Sequence, residues 1–146
     1  MNYLVATDGG CKGNPGPGTW AFVVFDKKTE KMLGHKKGSK LSSTNNEMEL
    51  TAIVEAMAWA EKHGNTIDIL TDSTYCLFGL TSWLETWKRK GWKRGTGEPV
   101  KNLDLWQQLD SCNCVYTIKK VKGHSGNKFN DAADMYCNEE YINVFI

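Results

Sequence analysis

The stretch Tyr3-Leu4-Val5-Ala6-Thr7-Asp8-Gly9-Gly10 joins an apolar run to an abrupt stop at an acid and two glycines. Such a run predicts a buried strand followed by a glycine-rich loop. The pattern returns in residues 66–73, where a second apolar run stops at Asp72. Because ligand sites in open α/β sheets gather at the carboxyl ends of strands, Asp8 and Asp72 become candidate site residues. Taken singly, each acid could also be structural, Asp8 in an Asx turn and Asp72 as a helix N-cap.

Further strands and helices follow from the apolar patterns on either side of these two segments. Strands are predicted over 20–25, 31–38 and 115–121, and helices from 43–46 to about 63, from near 75, over 82–90, over 103–109 and over 130–140. The glycine-rich and proline-rich residues 13–18 are predicted to be a loop. The element order indicates an α/β fold, with a mixed sheet that carries helices on both faces.

The composition is that of one folded domain. The chain has 146 residues, of which 40% are hydrophobic and 24% charged, and this balance excludes disordered and fibrous classes. We expect a single domain over residues 1–146, since one hydrophobic core suffices at this length. No apolar run is long enough to cross a bilayer and no secretion signal is visible, so we expect a cytoplasmic protein with no membrane partner. The five cysteines are odd in number and lack CxxC spacing, and we expect them to be reduced.

A third acid, Glu49, falls on the first predicted helix. It shares a face with Ala52 and Ala56 at i, i+3 and i+7 spacing, and such a small-residue face packs closely on a sheet. Three carboxylates gathered in a partly buried site repel one another, so the cluster would persist where a divalent cation neutralises it. Oxygen ligands without clustered thiolates or imidazoles favour Mg²⁺ or Mn²⁺ over zinc.

Two more acids, Asp131 and Asp134, lie one turn apart on the last predicted helix, and His124 precedes them in the segment 122–126. A histidine flanked by glycines could approach a metal site and move protons near neutral pH. The alternative is a solvated surface histidine. The residues alone leave both acids as candidates for the site.

A basic window lies between Thr81 and Lys101. It holds six basic and two acidic residues, a net charge of +4, whereas the whole chain carries +1. Lysine, arginine and indole side chains together are typical of surfaces that bind nucleic acid. The alternative is a solvated helix whose tryptophans belong to the core, and we expect that of at least one indole. The basic residues and tryptophans are Lys88, Arg89, Lys90, Lys93, Arg94, Lys101, Trp83, Trp87 and Trp92.

Five blocks of this sequence, in order, resemble the bacterial type 1 ribonuclease H family and together span nearly the whole chain. The blocks are Thr7-Asp8-Gly9-Gly10-Cys11 with Gly13-Asn14-Pro15-Gly16-Pro17-Gly18, Thr44-Asn45-Asn46 with Met48-Glu49-Leu50, Thr71-Asp72-Ser73 with Tyr75, residues 87–106, and Val121-Lys122-Gly123-His124-Ser125-Gly126 with Asn130 and Asp134. A match of five ordered blocks is far more specific than any single motif.

The resemblance implies a fold and an enzyme. The fold is ribonuclease H-like, with three antiparallel strands, two parallel strands, flanking helices and a basic helix-loop protrusion. The enzyme is an endonuclease that hydrolyses the RNA strand of an RNA/DNA hybrid with two Mg²⁺ ions, for which Mn²⁺ can substitute, and leaves 5′-phosphate and 3′-hydroxyl ends. The catalytic residues implied are the metal ligands Asp8, Glu49, Asp72 and Asp134, with His124 as a mobile group that transfers protons and assists product release.

The resemblance also implies how the hybrid is held by a monomeric protein. Contacts to the minor groove and the 2′-hydroxyls fall to Cys11, Asn14 and Asn45 with main-chain groups around Gly10, a DNA-strand phosphate to Thr44 and Asn102, and a deoxyribose to Trp83. Asn46 is a further candidate for substrate binding. The basic window adds the candidates Lys88, Arg89, Lys90, Trp92 and Lys93, from its charge and indole pattern. The chain departs from the common bacterial pattern at Gly10, Glu47, Thr74 and Asn127. The alternatives are a hybrid-binding module with weak or no catalysis and another nuclease or transposase of the same fold.

Overall fold

Five strands form one mixed sheet. In this computed structural model, which describes residues 2–122 and 126–146, the strands are β1 (Asn2–Cys11), β2 (Gly16–Asp26), β3 (Met32–Ser43), β4 (Thr66–Thr71) and β5 (Tyr116–Lys120). The strand order is β3-β2-β1-β4-β5. The first three strands pair antiparallel, and β4 lies parallel to both β1 and β5. The predicted α/β fold and mixed sheet are therefore confirmed.

Helices cover the sheet. They are α1 (Asn45–Lys62), α2 (Thr74–Phe78), α3 (Leu84–Arg89), α4 (Leu103–Ser111) and α5 (Lys128–Phe145), and a π-helical turn (Gly79–Trp83) joins α2 to α3. None of the helices in the described ranges is long and apolar enough to cross a membrane.

Several predicted boundaries differ from the structure. Strand β1 continues past Asp8 to Cys11, because Gly9, Gly10 and Cys11 pair with β2. Strand β3 runs to Ser43 and not to 38, and α5 spans Lys128–Phe145 and not 130–140.

The loop predicted over 13–18 is partly strand, because Gly16 and Gly18 pair with Ser43 and Lys40 and so extend the β2–β3 ladder. The helix predicted over 82–90 is instead the end of a longer helical stretch. Gly79 lets this stretch pack directly on the buried Trp106, since a Cβ there would lie 2.0 Å from the Trp106 ring.

Helix α1 packs closely on one face of the sheet. Its predicted small-residue face is buried, with Ala52 and Ala56 fully inaccessible to solvent. The closest approach is at Gly9 of β1, where a Cβ would lie 2.4 Å from the backbone carbonyl carbon of Met48. This contact fixes Glu49, the next residue of the helix, over the end of β1.

Helix α5 packs on the opposite face, mainly against β1 and β2. Ala133 is fully buried there in a cluster with Ala6, Val23 and Phe25. Because Asp134 follows Ala133 directly, this packing brings a second helix-borne acid toward the sheet.

Candidate active site

Asp8 and Asp72 lie side by side just beyond the point where the parallel pairing of β1 and β4 stops. Ala6 of β1 and Leu70 of β4 are parallel partners in register. Asp8 and Asp72 each lie two residues beyond that pair, so their side chains emerge at the same place. Asp8 is only 8% exposed.

Glu49 completes a cluster of three carboxylates. Oxygen atoms of Asp8, Glu49 and Asp72 all lie within 4.8 Å of one another. The Gly9 backbone N–H donates a hydrogen bond of 2.8 Å to Glu49 Oε1. The second oxygen, Oε2, is buried without a hydrogen-bond partner in the described structure. A buried carboxylate oxygen without a donor is the kind of atom that a cation would satisfy.

The structure distinguishes between the two acids of α5. Asp134 lines the same cavity as the three carboxylates, which has a volume of about 220 Å³, whereas Asp131 is exposed and does not line it. Asn138 Nδ2 donates a 3.4 Å hydrogen bond to Asp134 Oδ2. Asp134 lies outside the tight group of three. The four acids implied by the resemblance therefore share one cavity.

Burial and mutual repulsion favour the protonated forms of this cluster. Desolvation raises the pKa of Asp8 to about 7, and the charges of Asp72 and Asp134 add to that effect. Burial raises the pKa of Glu49 well above its ordinary value, and the charges of Asp8 and Asp72 act in the same direction. In the absence of a cation, the cluster therefore binds protons near neutral pH.

Three predicted substrate-binding residues form a hydrogen-bonded group at the cavity, and two of them, Cys11 and Asn45, line it. The Cys11 N–H donates to Asn45 Oδ1 at 3.0 Å, and the Asn45 N–H donates to Asn14 Oδ1 at 3.0 Å. Asn46 follows, exposed, in the first turn of α1. Thr44 is the N-cap of α1, and its hydroxyl accepts the Glu47 N–H at 3.1 Å. Polar groups from the start of α1 and from the loop after β1 therefore lie next to one another at this surface.

Asn102 and Trp83 both contact Tyr75. Asn102 has left-handed backbone geometry, with φ at 57°, and its Nδ2 donates to the Tyr75 hydroxyl at 3.1 Å. The Trp83 ring lies 5.9 Å from the Tyr75 ring, and 38% of this indole residue is exposed. No hydrogen bond joins Asn102 to Thr44 within the described ranges.

The basic window is less positive than its composition indicates. Lys88 Nζ lies 3.0 Å from Asp110 Oδ1, and this carboxylate raises the pKa of Lys88. Arg94 forms an ion pair with Glu98. Four exposed cations of the window have no ion pair with any acid in the described part of the chain, namely Arg89, Lys90, Lys93 and Lys101.

The tryptophans of the window divide into two kinds. Trp87 and Trp92 are partly buried and pack against the core, and the Trp87 ring lies 5.3 Å from that of Trp106. This outcome agrees with the expectation that at least one indole is structural. Trp83 is the most exposed of the three and is free to contact a ligand.

Two of the four departures from the common bacterial pattern, Asn127 and Glu47, have local structural roles, and nothing in the structure explains Gly10 or Thr74. Asn127 is the N-cap of α5, and its Oδ1 accepts the N–H groups of Phe129 and Asn130, each at 3.1 Å. Glu47 accepts a hydrogen bond from Ser43 and pairs with Lys40. His124, predicted to be catalytic, lies outside the described residues.

Several cavity residues escaped prediction from the sequence. Lys12, Asn138 and Tyr141 line the cavity beside the acids. For the two α5 residues a signal was present, because they stand four and seven positions after Asp134 and so share its helix face. No local pattern marked Lys12.

The fold has close counterparts among solved structures. The crystal structure of LC9-RNase H1, a type 1 RNase H with the type 2 active-site motif, matches with a TM-score of 0.82 and 28% identity over 94% of this chain and 71% of that one. The N-terminal RNase H domain of a Mycobacterium tuberculosis protein matches with a TM-score of 0.70 and 25% identity over 98% of this chain and 95% of that one.

Known sequences resemble this chain more closely than these solved structures do. The chain is 43% identical over 145 residues to the ribonuclease H of Ruthia magnifica, with 94% of each chain covered. It is 45% identical over 136 residues to that of Hahella chejuensis, which covers 92% of this chain and 89% of the relative. The family profile described as RNase H matches residues 1–141. With relatives this similar aligned over nine-tenths of its length, the chain belongs to the RNase H family of ribonucleases.

Proposed function

We propose that this protein hydrolyses the RNA strand of RNA/DNA hybrids with two bound Mg²⁺ ions and leaves 5′-phosphate and 3′-hydroxyl ends. The observation that carries the proposal is the group of Asp8, Glu49 and Asp72 oxygens within 4.8 Å of one another, in a member of the RNase H family. Asp134 faces the same cavity and is proposed as the fourth ligand.

The residues at the cavity fit a hard divalent cation. The unpartnered Glu49 Oε2 offers a free lone pair, and its neighbours are carboxylates. Cys137 also lines the cavity, but burial raises the pKa of its thiol, so it stays protonated and does not serve as a thiolate ligand. Oxygen donors alone favour Mg²⁺ and accept Mn²⁺.

The protein holds these ligands in place before any substrate binds. When bound, the ions neutralise phosphate charge and activate water for in-line hydrolysis. The Gly9 N–H fixes one oxygen of Glu49, and the Asn138 side chain orients Asp134. Pre-positioned ligands need no reorganisation during the reaction. We assign to His124 the transfer of a proton near the scissile phosphate.

The surface around the cavity is proposed to select the hybrid. The linked group of Cys11, Asn14 and Asn45 is suited to minor-groove edges and 2′-hydroxyls, which distinguish RNA from DNA. Thr44 and Asn102 are proposed to bind a DNA-strand phosphate, and the exposed Trp83 to contact a deoxyribose.

The test measures which nucleic acids the protein cleaves and whether cleavage requires a divalent metal ion. The protein is incubated with a labelled RNA/DNA hybrid, an RNA duplex, a DNA duplex and single-stranded RNA, in Mg²⁺, Mn²⁺ or EDTA. We expect cutting of the RNA in the hybrid alone, with metal only, and 5′-phosphate products. Hybrid binding without cleavage would identify a binding module instead, and equal cutting of duplex DNA would indicate another nuclease of this fold.

A further inference from the structure

Lys12 and Tyr141 form one wall of the carboxylate cavity, and the proposed function gives neither residue a role. Both line the cavity together with the four acids. The Lys12 ammonium lies 5.4 Å from the centre of the Tyr141 ring. This distance is that of a cation–π contact, which uses the negative face of an aromatic ring to hold a positive charge.

The charge of Lys12 is unusual at this position. Among the described residues that line the cavity, Lys12 is the one cation, and it shares the cavity with four carboxylates. Even so, it forms no salt bridge with any acid in residues 2–122 and 126–146. The contact with Tyr141 therefore holds the ammonium at the rim, where its charge is available to a ligand.

The backbone of Lys12 is held in a hydrogen-bonded loop, and that of Tyr141 is part of a helix. The Lys12 N–H donates a 3.0 Å hydrogen bond to the Pro17 carbonyl, which closes the loop between β1 and β2. Tyr141 lies on α5, seven residues after Asp134, which corresponds to ~10 Å along the helix axis. The pair thus stands beside the carboxylates, about two helical turns from Asp134.

We propose that Lys12, held by Tyr141, binds a phosphate of the RNA strand next to the phosphate that is cleaved. This inference rests on the proposed function, because the strand to be cut must enter the cavity. Each nucleotide of that strand brings a negative charge toward four acids. A cation at the rim offsets the repulsion for a neighbouring phosphate without touching the reacting atoms, so Lys12 acts as a binding residue.

The first experiment compares Lys12→Gln with Lys31→Gln. Lys31 lies in the turn between β2 and β3, at the opposite end of the sheet, so its variant removes the same charge away from the cavity. For Lys12→Gln we expect the KM for the hybrid to rise about 3- to 10-fold, with kcat little changed. The slope of log KM against log salt should fall by about 0.7 to 0.9, the value of one phosphate contact. Lys31→Gln should match the wild type, and equal effects of the two variants would overturn the proposal.

Tyr141 is tested by a pair of variants. Tyr141→Phe keeps the aromatic face and should leave KM unchanged, whereas Tyr141→Leu removes it and should raise KM about 2- to 3-fold. Thermal melts of each variant show that the fold is kept. If Tyr141→Phe weakens binding as much as Tyr141→Leu, the hydroxyl and not the ring face is responsible, and the role given to the ring is wrong.

The second experiment locates the phosphate. Single methylphosphonates, which remove one charge, are placed in turn along the RNA strand of the hybrid and, in a second series, along the DNA strand, and affinity is measured by anisotropy in EDTA. We expect one or two positions beside the cut at which the wild type loses affinity and Lys12→Gln does not. Coupling to a DNA-strand phosphate, or to no RNA position, would refute the inference. Since this readout requires no cleavage, it stays decisive even if the hydrolysis assay fails and the proposed function with it.

Discussion

Gly9 lies directly against the backbone of Glu49: its N–H donates to the Glu49 carboxylate at 2.8 Å, and a Cβ on Gly9 would lie 2.6 Å from the Glu49 amide nitrogen. The end of β1 and the start of α1 therefore meet without room for a methyl group. The position of Glu49 in the cavity depends on this close approach.

The first prediction concerns Gly9→Ala. The added methyl must push α1 away from β1, so we expect a loss of roughly 1 to 3 kcal/mol in the free energy of unfolding, measured by urea denaturation. Gly10→Ala is the matched control, because a Cβ there meets Asn45 Oδ1 at an ordinary 3.6 Å. Equal stability of the two variants would contradict the close packing.

The second prediction concerns pH and the metal-free protein. Since the pKa of Asp8 is raised from 3.8 to about 7, the folded protein keeps a proton that the unfolded chain has released between these values. The stability of the wild type in EDTA should therefore fall as pH rises from about 4 through 7. Asp8→Asn should weaken this dependence and be more stable at pH 8 by roughly 1 to 3 kcal/mol.

Denaturation series at pH 5, 6, 7 and 8 measure this effect, with Asp131→Asn as the control for a lost exposed acid. Added Mg²⁺ should stabilise the wild type and do much less for Asp8→Asn. Parallel curves for wild type and Asp8→Asn would mean that the pKa of Asp8 is not raised in the folded protein, and would contradict the prediction.

The third prediction separates the two acids of α5. Asp134→Asn should lower kcat by roughly 10² or more, because ligand loss weakens charge stabilisation worth several kcal/mol. Asp131→Asn, at an exposed position one turn away, should retain wild-type activity. Steady-state cleavage of a labelled hybrid measures both. The reverse result would identify Asp131, and not Asp134, as the fourth metal ligand.

The fourth prediction divides the basic window. Replacing Arg89, Lys90 and Lys93 by Gln should raise KM and flatten its salt dependence, because these cations are exposed and free of ion pairs in the described ranges. Lys88→Gln and Arg94→Gln should have smaller effects, since both side chains already pair with acids. If the salt dependence of KM is unchanged in the triple variant, these residues do not contact phosphates, and the window is a solvated helix.

The fifth prediction concerns His124→Ala. We expect kcat to fall roughly 10²-fold or less, because general acid–base help is typically worth 10² to 10⁴ and solvent can replace part of the imidazole's role. Single-turnover assays from pH 6 to 9 measure the change. Complete inactivation would show that His124 does more than transfer protons.

The fold and much of the candidate site could be predicted from the sequence because both depend on local patterns. The apolar runs that end at Asp8 and Asp72 are read directly from the chain, and so is the small-residue face beside Glu49. The choice between Asp131 and Asp134 needed the resemblance, since their spacing suits one helix turn equally well and only packing on the sheet separates them.

Other features depend on contacts between distant segments. The ion pair of Lys88 with Asp110 lowers the free charge of the basic window, yet composition counts every lysine alike. The contact between Lys12 and Tyr141 joins two ends of the chain, and no sequence pattern marks it.

The packing of α1 and α5 on opposite faces of the sheet has a thermodynamic consequence. Glu49 and Asp134 reach one cavity from these two helices, so a cation that binds both is linked to the docking of each. The last turns of α5 expose Ile142 and Val144, which makes this helix the easier one to open locally. Cation binding should therefore slow amide hydrogen exchange along α5 more than along α1, and detachment of α5 should release the cation before the sheet unfolds.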